Sequence, residues 1–246
     1  MPVAPYSPFM TVCDASSPFG PPGPWPASAR LRLREFDSAD IADVQRMHQD
    51  ARVRAQLVDD VPLHEAARAA AFVQGMRAFY REHEGTGIWC AERAVPPDPD
   101  SVAEARAAFA AGEIEAPLLA LVEAPTWRFC GWFSLVHVQH APQEVEIGAR
   151  LRPEAWCGTL ALDGGEWLLA RAFAQPGRAR VFGYCDPANR SAAHCLRALG
   201  FSAAGTAPYN GHTAAAFVLT REEWQASREL PRRERLRRAS CTSRAA

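Results

Sequence analysis

Residues 144–173, EVEIGARLRPEAWCGTLALDGGEWLLARAF, constrain the fold more than any other stretch of the chain. They read as a strand, a glycine-bearing turn and a helix. Val145, Ile147, Ala149 and Leu151 alternate with Glu144, Glu146 and Arg150, which is the two-residue period of a strand with one apolar face. Pro153 ends that strand, because proline has no N–H to give to a ladder. From Leu162 the apolar positions fall at helical spacing, through Leu168, Leu169, Ala172 and Phe173. The first N–H groups of such a helix have no partner inside it and lie at the positive end of its dipole. The turn 156–161 is therefore suited to a phosphate, and Gly158 would let a ligand approach the backbone. Taken alone, the unit is common in α/β proteins and is a weak motif.

The chain has 246 residues, 48% of them hydrophobic and 22% charged, which suits one globular domain with room for tails. A formal net charge of −1 argues against a general nucleic-acid or membrane surface. Every basic residue is arginine and none is lysine; together with the abundance of alanine this reads as codon bias. Seven scattered cysteines without a Cys-x-x-Cys spacing speak against a disulfide framework or a structural zinc site. No apolar run approaches the ~18 residues of a spanning helix, so a cytoplasmic location is expected.

Residues 1–28 are rich in proline and read as a tail; residues 29–228 are the expected domain. RLRLREF (30–36) alternates as a first strand, and helices follow around Ile41–Met47 and from about Leu63 to His83. GIWCAER (87–93) is a strand, residues 95–117 interrupt as an insertion, and LLALVE (118–123) reads as another strand. RFCGWFSLVHV (128–138) is apolar on both faces and so expected at the sheet centre. RVFGYC (180–185) is a strand, DPANRSAAHCLRALGF (186–201) a helix ended by Gly200, and 201–207 with 213–220 a closing hairpin. A short helix over 222–230 precedes a basic tail, 229–246, expected to be solvated; an RNA contact is the alternative there.

Two motifs carry a resemblance. The EIG strand followed by a proline, Trp-x-Gly and a helix is similar to the coenzyme A-binding core of the GCN5-related N-acetyltransferases, in the branch that includes the ribosomal-protein N-terminal acetyltransferases. Asn189, Leu199, Gly200 and Phe201 match the last motif of that family, an Asn-started helix ending in Leu-Gly-Phe. The resemblance covers roughly residues 29–226. It implies a mixed α/β (α+β) fold, a central, mostly antiparallel twisted sheet of about six to seven strands with about four flanking helices.

It also implies acetyl-CoA as the acetyl donor. Backbone groups of Ala149, Arg150 and Leu151 would pair with the pantetheine arm, and N–H groups of Cys157, Gly158, Thr159, Leu160 and Ala161 would hold the pyrophosphate. Asn189 would either contact the cofactor or fix its own helix. The acceptor would be a primary amine, on a protein N-terminus or a small molecule; no membrane partner and no nucleic acid outside the C-terminal tail is expected, and the protein would be a monomer or homodimer. Glu146 stands where this branch often carries a base, with Glu144 on the same face; a partly buried carboxylate has the raised pKa that role needs. Tyr80, Trp89, Trp132, Tyr209 and His212 are candidate acceptor-pocket lining. Two departures motivate a second reading, a non-catalytic acyl-CoA-binding or interaction module on the same fold. Thr159 replaces the usual glycine of the turn, and Leu196 replaces a tyrosine that protonates the leaving thiolate in many relatives.

Overall fold

A computed structural model describes residues 24–57, 63–83, 85–138, 141–156 and 159–242. The elements run β1 (Trp25–Ser28), β2 (Leu31–Arg34), α1 (Ile41–Gln49), α2 (Ala51–Arg54), α3 (Ala66–Glu82), β3 (Gly87–Val95), α4 (Pro99–Ala110), α5 (Ala116–Glu123), β4 (Thr126–Val138), β5 (Ala141–Leu151) and α6 (Leu160–Ala174). They continue with β6 (Arg180–Cys185), α7 (Arg190–Ala198), β7 (Ser202–Tyr209), β8 (His212–Thr220), α8 (Arg221–Arg228) and α9 (Arg232–Thr242).

One sheet of eight strands, in the order β1-β2-β3-β4-β5-β6-β8-β7, forms the centre. Neighbours are antiparallel except β5 and β6, which are parallel. Strand alternation divides the core in two. Phe133, Leu135, Val145 and Ile147 pack with Leu168, Leu169 and Phe173 of α6, while Trp132 and Cys90 on the other face pack with Val44, Met47 and Val73 of α1 and α3. β4 contributes to both, as a strand apolar on both sides must when it is covered on both sides.

The mixed fold with a mostly antiparallel sheet agrees with the expectation, but its strands are eight, and two assignments change. Residues 118–123 are not a strand; they lie in α5, which packs on α4 as a helical hairpin inserted between β3 and β4. Ala, Leu and Glu are strong helix formers, and Pro117 sits in the first turn, where its missing N–H costs nothing. The replacement strand is β1, within the segment read as tail. It pairs with β2 at the sheet edge, where Pro26 is tolerated. Trp25 and Trp167 gather with Trp89 around the buried guanidinium of Arg171, their ring centroids 5.6, 5.4 and 5.0 Å from it; aromatic faces favour such a cation.

The basic C-terminal segment is likewise not a solvated tail over 232–242. α9 packs against α7, with Ala239 in the core and Leu236 partly buried against it. Arg232 and Arg235 reach Glu166 of α6 at 2.7 and 2.5 Å. Its polar sequence hides an apolar stripe of only those two small contacts.

Candidate active site

β5 and β6 part company. Their pairing runs Val145↔Val181, Glu146↔Phe182 and Ile147↔Gly183, while β5 continues four residues further, to Leu151. Among the described residues no strand pairs with that edge of Gly148–Leu151, and Ala149 there is exposed. An open strand edge offers N–H and C=O groups to an extended ligand. One group of this stretch is already engaged, since Leu151 O accepts from Trp156 Nε1 at 2.8 Å.

The open edge leads to the foot of α6. Thr159 stands there with φ 67 and ψ 16, in the left-handed region, and no side chain caps the helix. A β-branched residue in that conformation is a genuine outlier. The backbone thus keeps a glycine-like geometry although the residue is threonine, and among the described residues no side chain caps the first amides of the helix. Leu160 is buried and Ala161 half-buried, so what they present is backbone. Cys157 and Gly158 lie outside the described residues. Arg30, which the sequence did not mark, donates to Thr159 Oγ1 at 3.1 Å and to Asp163 Oδ2 at 2.9 Å. Asp163 is 1% exposed and also receives Arg232 at 2.5 Å and the Ser28 hydroxyl at 2.8 Å.

Glu146 sits at the apex of the divide, on the face toward α1 and 8% exposed. Burial pushes its carboxyl up to about 7, against the opposing pull of a hydrogen bond from Tyr209. That bond, from the phenol to Oε1, is 2.6 Å long. Tyr209 stacks on Tyr184 with centroids 5.0 Å apart, and Tyr184 stacks on Phe182 at 6.3 Å. An aromatic wall therefore borders the carboxylate. Glu144 has a different fate, tied to Arg180 at 2.5 Å.

Further along the same face, Arg150 lies over Trp132, 4.9 Å from the ring centroid. It donates to His48 Nε2 at 2.8 Å, which requires Nδ1 to carry the ring proton shared with Val44 O, also at 2.8 Å. The Arg150 side chain thus points to the α1 face. Of the aromatic residues considered as lining, only Tyr209 reaches Glu146. Trp89 is buried on the α6 face, Tyr80 donates to Ile88 O inside the second core, and Trp132 packs between Phe72 and His48. Tyr184 went unmarked, although its alternation with Phe182 in RVFGYC was the available signal.

Asn189 caps α7, accepting from Ala192 N at 3.0 Å, so of its two expected roles the helix-fixing one is visible. Leu196 is buried against Gly183, where an added Cβ would lie 2.6 Å from Leu196 Cδ2. α7 therefore rests directly on β6 there and offers no hydroxyl at that position.

Residues 30–202 match the family model of the acetyltransferase (GNAT) domain. No curated protein matches the sequence. Among solved structures, RimL, a ribosomal L7/L12 α-N-protein acetyltransferase in complex with coenzyme A, aligns at 16% identity and TM-score 0.55, covering 79% of this chain and 96% of its own. Mycobacterium smegmatis RimJ in complex with CoA-disulfide aligns at 16% and 0.56, over 85% and 89%. The microcin C7 self-immunity acetyltransferase MccE in complex with acetyl-CoA and AMP aligns at 11% and 0.56, over 79% and 94%. At these identities the three share the fold with this chain.

Proposed function

The chain belongs to the GNAT acetyltransferase family, and from that premise we propose that it moves an acetyl group to a primary amine with Glu146 as the base. The observation that carries this reading is a buried carboxylate, at about 7, standing where β5 and β6 separate.

When bound, acetyl-CoA supplies the thioester whose carbonyl the amine attacks and the thiol that leaves. The residues present fit that donor. The free edge of Ala149, Arg150 and Leu151 would hold an extended arm, and the uncapped amides of Thr159, Leu160 and Ala161 would hold a diphosphate. Cys157 and Gly158 belong to the same proposed turn, and Arg30 supplies a cation at its rim. Asn189 supports the site by fixing α7.

An amine arrives largely as an ammonium ion and must lose a proton before it can attack. Oε2 of Glu146 takes that proton: an N–H bond breaks, an O–H bond forms, and the lone pair stays on nitrogen. A carboxyl near 7 is well matched to this task at neutral pH, because it is basic enough to accept and still substantially ionised. Glu144, neutralised by Arg180, keeps the site's rim from accumulating two competing anions.

The acceptor is a protein N-terminus or a small-molecule amine. Calorimetry with acetyl-CoA, followed by thiol release over a panel of N-terminal peptides and small amines, tests the proposal. Glu146→Gln should bind acetyl-CoA normally and lose about 10²–10⁴-fold in turnover. Binding without turnover on any amine would make the chain a non-catalytic acyl-CoA module, the reading that Leu196 favours; failure to bind would remove both.

A further inference from the structure

We propose that Tyr209 is a positioning residue for this acetyl transfer, holding Oε1 of Glu146 so that Oε2 faces the acceptor amine. The proposal rests on Glu146 being the base. Tyr209 is the last residue of β7 and is followed by the Asn210-Gly211 turn, with φ 48 and 81, which returns the chain into β8 opposite it. An Asn-Gly pair with both φ positive makes a tight, twist-matched hairpin. The phenol is thus carried at the tip of the hairpin, on a strand separated from β5 in the sheet by β6 and β8, and there it reaches the carboxylate.

Its aim is set by packing. The Tyr209 ring stacks on Tyr184 at an interplanar angle of 30°, and Tyr184 on Phe182 at 7°, so the hydroxyl has a supported direction. Among the described residues the carboxylate has this single hydrogen-bond donor, on Oε1, and no donor reaches Oε2. A carboxylate with one oxygen held has one oxygen left to present, in a fixed rotamer.

The surroundings allow this bond to be read out cleanly. Val136 on β4 and Phe182 on β6 lie directly beside Glu146 and carry no titratable group. Tyr184 contributes a phenol whose own titration is raised by burial and by Glu146 and Glu144. Arg180 is tied to Glu144, and Arg150 with His48 lies further along the same face. Tyr209 alone among these hydrogen-bonds the carboxylate.

Tyr209→Phe keeps the ring stack and removes only the hydroxyl. The full-length variant should fold as wild type and bind acetyl-CoA with unchanged KM. Its turnover at pH 7 should fall about tenfold, and the acidic limb of kcat/KM should move up by about one unit, because the lost bond favoured the ionised carboxyl. A ¹³C NMR titration of the Glu146 carboxyl carbon should show the same upward movement without any substrate. A variant whose activity drops while both titrations stay at the wild-type position has lost hairpin docking only, and that overturns the proposal, as does a wild-type profile. Full turnover in Glu146→Gln would instead remove the base reading, and this inference with it.

Discussion

Gly164 of α6 rests on the ring of Phe133. A Cβ built on that glycine would fall inside the van der Waals surface of Cε1 and Cζ, and Phe133 is itself fully buried in β4. The close approach is what seats the central helix against the sheet. In an exposed helix, Gly→Ala stabilises by about 1 kcal/mol. Here Gly164→Ala should destabilise by about 1–3 kcal/mol, as overpacking does when the neighbour cannot move. Urea denaturation measures it, and an unchanged or raised midpoint would contradict the close seating.

Glu146 ties stability to pH with a sign opposite to that of a salt-bridged acid. Its carboxyl is raised from 4.5 to about 7 in the folded protein, so between those values the folded state binds the extra proton. The contribution is fully present below the unfolded value and is lost as pH rises through about 7. Glu146→Gln should therefore be more stable than wild type at pH 8, by about 1–3 kcal/mol, and nearly equal to it at pH 4. Denaturation curves at the two pH values check this; equal gaps at both would contradict it.

Under the proposed base role the same ionisation sets the rate. Turnover should rise with pH and level off above about 7, the value of the Glu146 carboxyl, with the limb absent in Glu146→Gln. A pH profile of kcat/KM that is flat from 5 to 9 in the wild type would remove this carboxylate from the rate law.

Thr159 holds a positive φ that a β-branched side chain resists. Thr159→Gly should raise stability by about 1 kcal/mol, since it relieves the conformation at the loss of one exposed bond from Arg30. It should also tighten acetyl-CoA binding by opening the turn. Thermal melts and calorimetry report the two effects separately, and a lowered melting temperature would show that the Arg30 contact outweighs the strain.

Arg232 is one of two cations on a carboxylate that is almost wholly withdrawn from water. Arg232→Ala should cost about 1–3 kcal/mol, because Asp163 keeps Arg30 and Ser28 but loses a charged partner. The measurement is again urea denaturation. A neutral result would mean that Arg30 and solvent fully replace it.

What could be read from the chain alone was local. The two-residue period of 145–151 and the helical spacing from Leu162 each sit within a few turns of sequence, and both elements are where the pattern places them. Asn189 at its cap follows from the same kind of signal. Contacts between distant segments were out of reach: Tyr209 meets Glu146 across 63 positions, and Arg232 meets Asp163 across 69. Residues 118–123 show a different limit. A short apolar run has no period to separate strand from helix, and no residue of α5 is buried, with Leu121 left 72% exposed, so no packing pattern was written into it. β1 was hidden by Pro26 and the proline-rich sequence before it; an edge strand accepts such a residue and a central one does not.

Asp163 receives Ser28 from the end of β1, Arg30 from the turn that follows it and Arg232 from the last helix. Fraying that begins at either extremity therefore strips a donor from the same withdrawn anion, and neither margin can loosen while the middle stays indifferent. A single carboxylate thereby ties the two margins of the described domain to each other.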